Sequence, residues 1–517
     1  MANQAQRPTR ARLIYRLGFA LGLLLLGPGL QADDPQDTEG YSRSAWIERN
    51  RLRGVEFSGG LIPKGDWRPR DADRVLAPQA RVDAKKTKRP RRVNGDLLDM
   101  ENHPQPGTQA EPYLHVNPTN AKHLIAGWQE NRFEDGGAQA LHVAVSFNGG
   151  RAWTESTLPG LTLVSGGPWD RASDPWVEFG PDGDVYFASL LINESNPDNA
   201  IGVSRSTDGG RTWEDPVEVF SSNVDFNDKE ALTVDVFPDS RFLGRIYVAW
   251  DINVADATGQ NVVSQDLVVA RSQNSGESYR NPRLVRSGPT NIGAIPRVGP
   301  DGTVYVVWAG SRGGDPTLFV YFSSSRNGGR GWSSPRIIAI LGTVGVPDIR
   351  SGGILPSFAI DPNTGDQYVV WQDSRWSGVD QITMIFSRNN GQSWSDPELV
   401  SAAPLDAATF TTSVAVNELS QVAVSYYSLE NDPARAFLVD RFLRISDDGG
   451  RTFGPAIRAT RRTFDIRFAA QARGYFLGDY VGLAGANKQF HLLWVDTRRT
   501  SPTVGSKQPD VWTARSR

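Results

Sequence analysis

The sequence contains no cysteine. That excludes disulfides, thiolate metal sites, cysteine nucleophiles and the lipid-modified cysteine of a lipoprotein. An exported chain of this kind is held by packing alone, which suits a bacterial envelope or extracellular protein better than a small stapled domain. Histidine is scarce, and the five residues His103, His115, His123, His142 and His491 show no ligand spacing, so no metal is expected. A charge excess is missing too: the formal net charge is -3, with no basic surplus to draw a polyphosphate backbone, and nucleic acid is not an expected partner. There is no GxSxG elbow, no HExxH helix and no phosphate-binding glycine loop, and no cofactor is expected. Beyond the N-terminus no apolar run reaches the ~18 residues that suggest a membrane span.

What the chain does have is turn formers and large rings. Gly 52, Pro 33 and Trp 15 in 517 residues, 39% of them hydrophobic, describe a turn-rich globular protein with a substantial core. At the N-terminus Arg7, Arg10, Arg12 and Arg16 precede an apolar run from Leu17 to Leu30 that ends in Leu30-Gln31-Ala32. This pattern predicts a signal peptide over 1–32 and a secreted or periplasmic protein, with a retained membrane anchor as the alternative. Residues 33–107 carry the basic run Lys85, Lys86, Lys88, Arg89, Arg91 and Arg92, several prolines and little strand periodicity, and read as an N-terminal extension and linker. The basic run is a solvated face or, alternatively, an anchor for acidic polymers.

From about residue 108 one motif recurs, SxDxGxxW with Asn allowed for Asp. Its serines are Ser146, Ser206, Ser272, Ser325, Ser387 and Ser446, 53 to 66 residues apart, and its acids or amides are Asn148, Asp208, Asn274, Asn327, Asn389 and Asp448. Each copy sits between β-like runs, so it predicts a hairpin turn, with Asn-Gly or Asp-Gly supplying the positive φ angles of a type I′ connection. The aromatic that ends each motif can fold back as a plug between neighbouring sheets. Because four of the six acceptor positions are amides, these residues are structural acceptors and not titrating groups.

Upstream of each motif lies a strand rich in Val, Tyr and Trp, as in Val304-Tyr305-Val306-Val307-Trp308 and Tyr368-Val369-Val370-Trp371. A further copy, Phe490-His491-Leu492-Leu493-Trp494, follows the last motif, with a third strand at Asp510 to Ala514. Four strands per roughly 60 residues make one propeller blade. The expected fold is all-β: one propeller over 108–517 built of four-stranded blades, seven favoured and six possible, with the motif hairpins between third and fourth strands. A closing strand would come from before residue 108 and remove exposed edges.

These motifs and strands make the chain resemble the sialidase-like superfamily of Asp-box, or BNR-repeat, propellers over roughly 108–517. That resemblance implies the fold and leaves the reaction open, because the superfamily includes sialidases, other glycoside hydrolases, sorting receptors and assembly factors. Its sialidases hold the substrate carboxylate with three arginines, attack with a tyrosine activated by a glutamate, and use an aspartate as acid/base. This chain departs from them: neither Arg-Ile-Pro nor Arg-Leu-Pro occurs in it, and six blades are the sialidase norm.

The resemblance places the motif turns away from the ligand, on the face opposite the loops that bear charge beside aromatics. Those loops carry Trp169-Asp170-Arg171-Ala172-Ser173-Asp174, Asn227-Asp228-Lys229-Glu230, Asp348-Ile349-Arg350-Ser351, Asp373-Ser374-Arg375-Trp376 and, in the last repeat, Arg473, Tyr475, Asp479 and Tyr480. For a sialidase-like hydrolase the cast is Arg171, Arg350 and Arg473 as the carboxylate clamp, Asp174 as acid/base, and Glu230 activating Tyr480 or Tyr475. Asp170, Asp228, Lys229, Asp373 and Arg375 are further candidates for substrate contact. The expected partner is a glycan. Salt bridging or loop capping in the mouth is the plainer role for each residue, and a propeller that binds a glycan or protein without catalysis is the rival reading.

Overall fold

The computed structural model describes residues 41–53, 55, 87–95, 98, 103–313, 315–501 and 505–516. The leader expected over 1–32, and Lys85 and Lys86 of the basic run, lie outside them.

The described chain is mostly β, a series of antiparallel four-stranded units together with a small three-stranded sheet in which Ile349–Arg350 pairs in parallel with Tyr475–Phe476. Unit 1 is Gln109–Val116, Leu124–Arg132, Ala138–Ser146 and Thr154–Thr157. Unit 2 is Arg171–Phe179, Val185–Ile192, Asn199–Ser206 and Val217–Ser222. Unit 3 is Phe226–Val234, Ile246–Ala255, Val262–Ser272 and Arg280–Gly288. Unit 4 begins at Asn291–Val298, unit 5 at Ser357–Ile360 and unit 6 at Thr409–Val416. Unit 7 has Gly482–Ala486, Gln489–Thr500 and Lys507–Arg515, and its fourth strand is Arg91–Arg92, paired with Trp512 and Thr513.

The second strands are packed on both faces, which is why they read as near-continuous apolar runs. Trp128, Trp250, Trp308, Trp371 and Trp494 occupy equivalent places there and are fully buried. A buried indole N–H needs an acceptor. Glu130, Asp373 and Asp496, two residues on, supply it at 3.1, 2.7 and 2.9 Å. In units 3 and 4 the acceptor is the amide oxygen of Asn227 or Asn291 instead, at 2.8 and 2.9 Å.

The recurring motif joins third to fourth strands, but not as a two-residue type I′ turn. Positive φ falls at Gly149 and Gly150 (both 72°), and Asn148 does not share it. The seven residues between Ser146 and Thr154 form a longer loop closed by side chains: Asn148 Oδ1 accepts the N–H groups of Arg151 and Ala152 at 2.9 and 2.8 Å, and Ser146 Oγ accepts that of Gly150 at 3.0 Å. Asp208, Asn274, Asn327, Asn389 and Asp448 cap their loops in the same way. The closing aromatics pack against the sheets: Trp394 of unit 5 meets Phe322 of unit 4 edge-on at 5.5 Å, and Trp213 meets Phe187 of its own unit at 5.9 Å.

In an antiparallel meander the start of strand 1, the loop between strands 2 and 3 and the exit from strand 4 share one end. The motif turns share the other. Helix α1 (Arg43–Leu52), within the stretch expected as extension, lies on the first of these ends. Ser42 caps it, its Oγ accepting the Ala45 N–H at 3.3 Å. Ser44 Oγ donates to Asp135 Oδ2 (2.8 Å), Ser42 Oγ to Glu194 Oε1 (2.9 Å) and Trp46 Nε1 to the Gly259 carbonyl (2.8 Å), so the helix touches the strand 2–3 loops of units 1, 2 and 3.

Candidate functional site

Five first strands carry the same irregularity. Each shifts register after its second or third residue, and the extra residue has a left-handed backbone: Glu111 (φ 53°), Asp174 (53°), Lys229 (49°), Gly293 (71°) and Thr411 (42°). Left-handed φ in a non-glycine residue costs on the order of 1 kcal/mol or more and marks a bulge that re-aims a side chain. Units 1, 2 and 3 spend that strain on two acids and a lysine.

Glu111, Asp174 and Asp228 line one pocket with Arg132, Arg350, Arg473 and Ser173, and Ile47 and Arg51 of α1 complete its wall. Glu111 and Asp174 are 2% exposed. Gln129 Nε2 donates to Glu111 Oε2 and to Ser173 Oγ (2.9 Å), and the Asp479 N–H reaches Glu111 Oε1 at 3.4 Å. Burial, then the charges of Asp174 and Asp479, push the Glu111 carboxyl up to about 8. Asp174 has a cation instead: Lys229 Nζ lies 3.7 Å from its Oδ1. The two carboxyls therefore sit in one pocket with different surroundings: burial favours the protonated form of Glu111, and the Lys229 ammonium stands beside Asp174.

The guanidinium groups divide similarly. Arg350 is fork-bonded to Asp479, with Nε at 3.2 Å from Oδ1 and Nη2 on Oδ2, and lies 4.3 Å over Phe476. Arg132 stacks on the same ring at 5.3 Å, and its buried Nε and Nη1 have no hydrogen-bond acceptor among the described residues. Burial, then the like charge of Arg350, lower its pKa to about 10. Arg473 Nε is likewise buried without an acceptor there.

Below the carboxyls an aromatic layer closes the space. Tyr113 stacks on Trp176 at 3.8 Å, Tyr480 meets both, and Lys229 Nζ rests 4.0 Å over the Tyr480 ring. The Tyr480 hydroxyl donates to the Pro175 carbonyl at 3.2 Å. Burial, then the charges of Glu111, Asp174, Glu230 and Asp479, raise its pKa well above the ordinary value. The Glu230 carboxylate accepts no hydrogen bond among the described residues, and burial followed by Asp174 raises it too. Glu230 and Tyr480 thus share a neighbourhood but no hydrogen bond.

Of the residues singled out from sequence, Asp174, Asp228, Arg350 and Arg473 meet in the pocket, with Lys229 and Tyr480 beneath it. The others lie elsewhere. Arg171 turns to the rim, donating to Asp135 Oδ1 (2.6 Å) and stacking 4.2 Å over Phe133. Asp170 caps the Glu194 N–H at 2.9 Å. Asp373 and Arg375 pair at 2.6 Å, with Asp373 already holding Trp371. Tyr475 lines a neighbouring cavity with Arg473, Asp348 and Ile349, its ring edge-on to Phe437. Glu111 and Arg132 escaped the sequence reading. A signal for the former exists: Glu111-Pro112-Tyr113 repeats Asp174-Pro175-Trp176, acid, proline, aromatic, at the same place in successive units.

One described set of side chains has the spacing to hold a cation: Glu130, His142 and Glu155, with ligand atoms within 4.8 Å of one another. These atoms already bond each other and the core. His142 Nδ1 is 2.9 Å from Glu155 Oε1, while Gln109 and Trp128 donate to Glu130 at 2.6 and 3.1 Å.

No family model matches the chain, and no curated protein matches it in sequence. Solved structures similar to it include a Dyadobacter fermentans protein of unknown function, with 12% identity, a TM-score of 0.44 and coverage of 84% of this chain and 100% of that one. The Hadza microbial sialidase Hz136 has 15% identity over 73% of each chain with a TM-score of 0.42. An α-L-arabinofuranosidase from Fusarium graminearum has 15% identity, covering 66% of this chain and 93% of its own, with a TM-score of 0.43. The identities are low and the superpositions loose.

Proposed function

We propose that this protein is a seven-bladed β-propeller glycoside hydrolase that cleaves an anionic sugar in the pocket beneath α1. The ring reading is supported by packing: the first strand of unit 7 lies against those of units 6 and 1, and Arg91–Arg92 completes its sheet. Hydrolysis rests on one observation, the pairing of Glu111, held neutral by burial, with Asp174, held beside Lys229. A neutral carboxyl can protonate a departing glycosidic oxygen, and a carboxylate beside a cation can attack the anomeric carbon or activate water. Glu111 is the acid in this reading and Asp174 the base or nucleophile. Arg132 and Arg473, whose buried guanidinium nitrogens have no acceptor among the described residues, supply donors for the sugar's carboxylate, and Arg350, held by Asp479, adds its charge. Tyr480, its proton tightly held and donated to Pro175, supports the Lys229 ammonium. Export, from the basic then apolar N-terminus, belongs to the same proposal, and N-terminal sequencing of the mature protein tests it.

The test is turnover of a panel of aryl glycosides, sialosides and uronides among them, by the wild type, Glu111→Gln and Asp174→Asn. Cleavage by the wild type and its loss in both variants is the expected result. Binding of a glycan without turnover by the wild type would replace hydrolysis with a binding role.

A further inference from the structure

At the other end of the molecule, where the motif turns lie, positive charge gathers around a second cavity. The basic run brings Lys88, Arg89 and Arg91 along the edge of unit 7, where the Lys88 N–H donates to the Arg515 carbonyl at 3.0 Å and that of Val93 to Val511 at 2.8 Å. The motif turn of unit 1 brings Arg151 to the same place, and Arg91 Nη1 donates to the Arg151 carbonyl at 3.0 Å. Together with Arg515 and the buried His491 they line a cavity of about 240 Å³.

Among the described residues no carboxylate lines this cavity. The contrast with the flanking cations is direct. Arg92 and Arg499, a few residues away, both pair with Asp510, at 3.3 and 2.9 Å. Lys88, Arg89, Arg91, Arg151 and Arg515 have no carboxylate partner among the described residues, although the chain as a whole is slightly acidic. Five like charges around one hollow repel one another, and ordinary folding pressure would intersperse an acid. Burial, then the Arg515 charge, hold the His491 imidazole down at about 4, so it adds no negative charge and no competing base to the cavity wall. The floor also offers glycine backbone at Gly149 and Gly150, where a ligand can approach closely.

We propose that this cavity binds a phosphate or sulfate group, gripped by the side chains of Lys88, Arg89, Arg151 and Arg515. Guanidinium forks match tetrahedral oxyanions two bonds at a time, and the ammonium adds a point charge. The group arrives as a free ion or as an ester on an acidic polymer. In either case the site stands apart from the carboxyl pocket, so a protein inactive on every glycoside would still bind here.

Isothermal titration of the full chain at low ionic strength tests this, with inorganic phosphate, inorganic sulfate and a heparin-derived hexasaccharide as separate probes. Saturable binding of at least one probe is expected, weakened about tenfold or more in the double variant Arg89→Gln/Arg151→Gln and strongly by added salt. Arg461→Gln, an exposed cation elsewhere, should bind like the wild type. Comparable affinity for the free ions and the hexasaccharide identifies an ion site, and a clear preference for the hexasaccharide identifies a polymer anchor. Lys88→Gln/Arg515→Gln, taken through the same titrations, covers the case in which the first variant misfolds. No saturable binding of any probe by the wild type, or undiminished binding in a folded variant, would overturn the proposal.

Discussion

Glu111→Gln separates folding from chemistry in a way few substitutions at a buried site can. Burial and the charges of Asp174 and Asp479 carry this carboxyl from 4.5 to about 8. Its proton is bound more tightly in the folded chain than in the unfolded one. The stabilisation it brings is complete below about pH 4.5 and is lost as pH rises through about 8. Such a displacement corresponds to a few kcal/mol. Glutamine copies the shape of the protonated acid and does not titrate, but its NH2 group meets the Gln129 amide or the Asp479 N–H donor to donor, which sets a pH-independent penalty. Relative to its standing at pH 5, the variant should therefore gain a few kcal/mol on the wild type by pH 9. Urea unfolding at pH 5, 7 and 9, followed by tryptophan fluorescence, reads the gap. Curves that stay parallel across that range would refute the claim that Glu111 is buried as a neutral acid.

Three further outcomes follow from the same packing. Arg350→Ala leaves the fully buried Asp479 without its fork and should destabilise the protein by about 3–5 kcal/mol in denaturant titration. Asp208→Asn should cost less than about 1 kcal/mol by the same measure, because four sister turns already use asparagine to cap the same N–H groups, whereas Asp208→Ala should cost about 1–2 kcal/mol. Trp46→Ala removes the anchor of α1, and hydrogen exchange should quicken over 133–137 and 226–228 while units 4 to 6 stay protected.

Much of the architecture was legible because it repeats. Six capped loops and a tryptophan-bearing second strand recur at a regular interval, and each copy meets the same local demand for acceptors and buried ring area. The turn type was misjudged because Asn148-Gly149 looks like a two-residue hairpin, while the asparagine here is a cap and the following glycines carry the positive φ. The pocket was only half legible. Asp174, Asp228, Arg350 and Arg473 stood out as charge beside aromatics, but Asp373 and Arg375 stood out equally and serve a buried indole instead. Local sequence does not tell a charge aimed at a cavity from one aimed at a tryptophan two residues away. Glu111 was missed because one extra residue in its strand turns it inward, and a bulge is set by pairing with the next strand, which composition does not report. Helix α1 was missed for a related reason: its repeat-free segment is short and mostly polar, and loops from three units hold it through Ser42, Ser44 and Trp46.

The pH dependence of kcat/KM on a cleaved aryl glycoside, measured for the wild type and Glu111→Gln, bears most directly on the central claim that Glu111 is the proton donor to the leaving group. The wild type should lose activity as pH rises through about 8, and the variant should fall by at least about 100-fold with that limb gone. A variant that keeps the wild-type rate and the same alkaline limb would contradict the account.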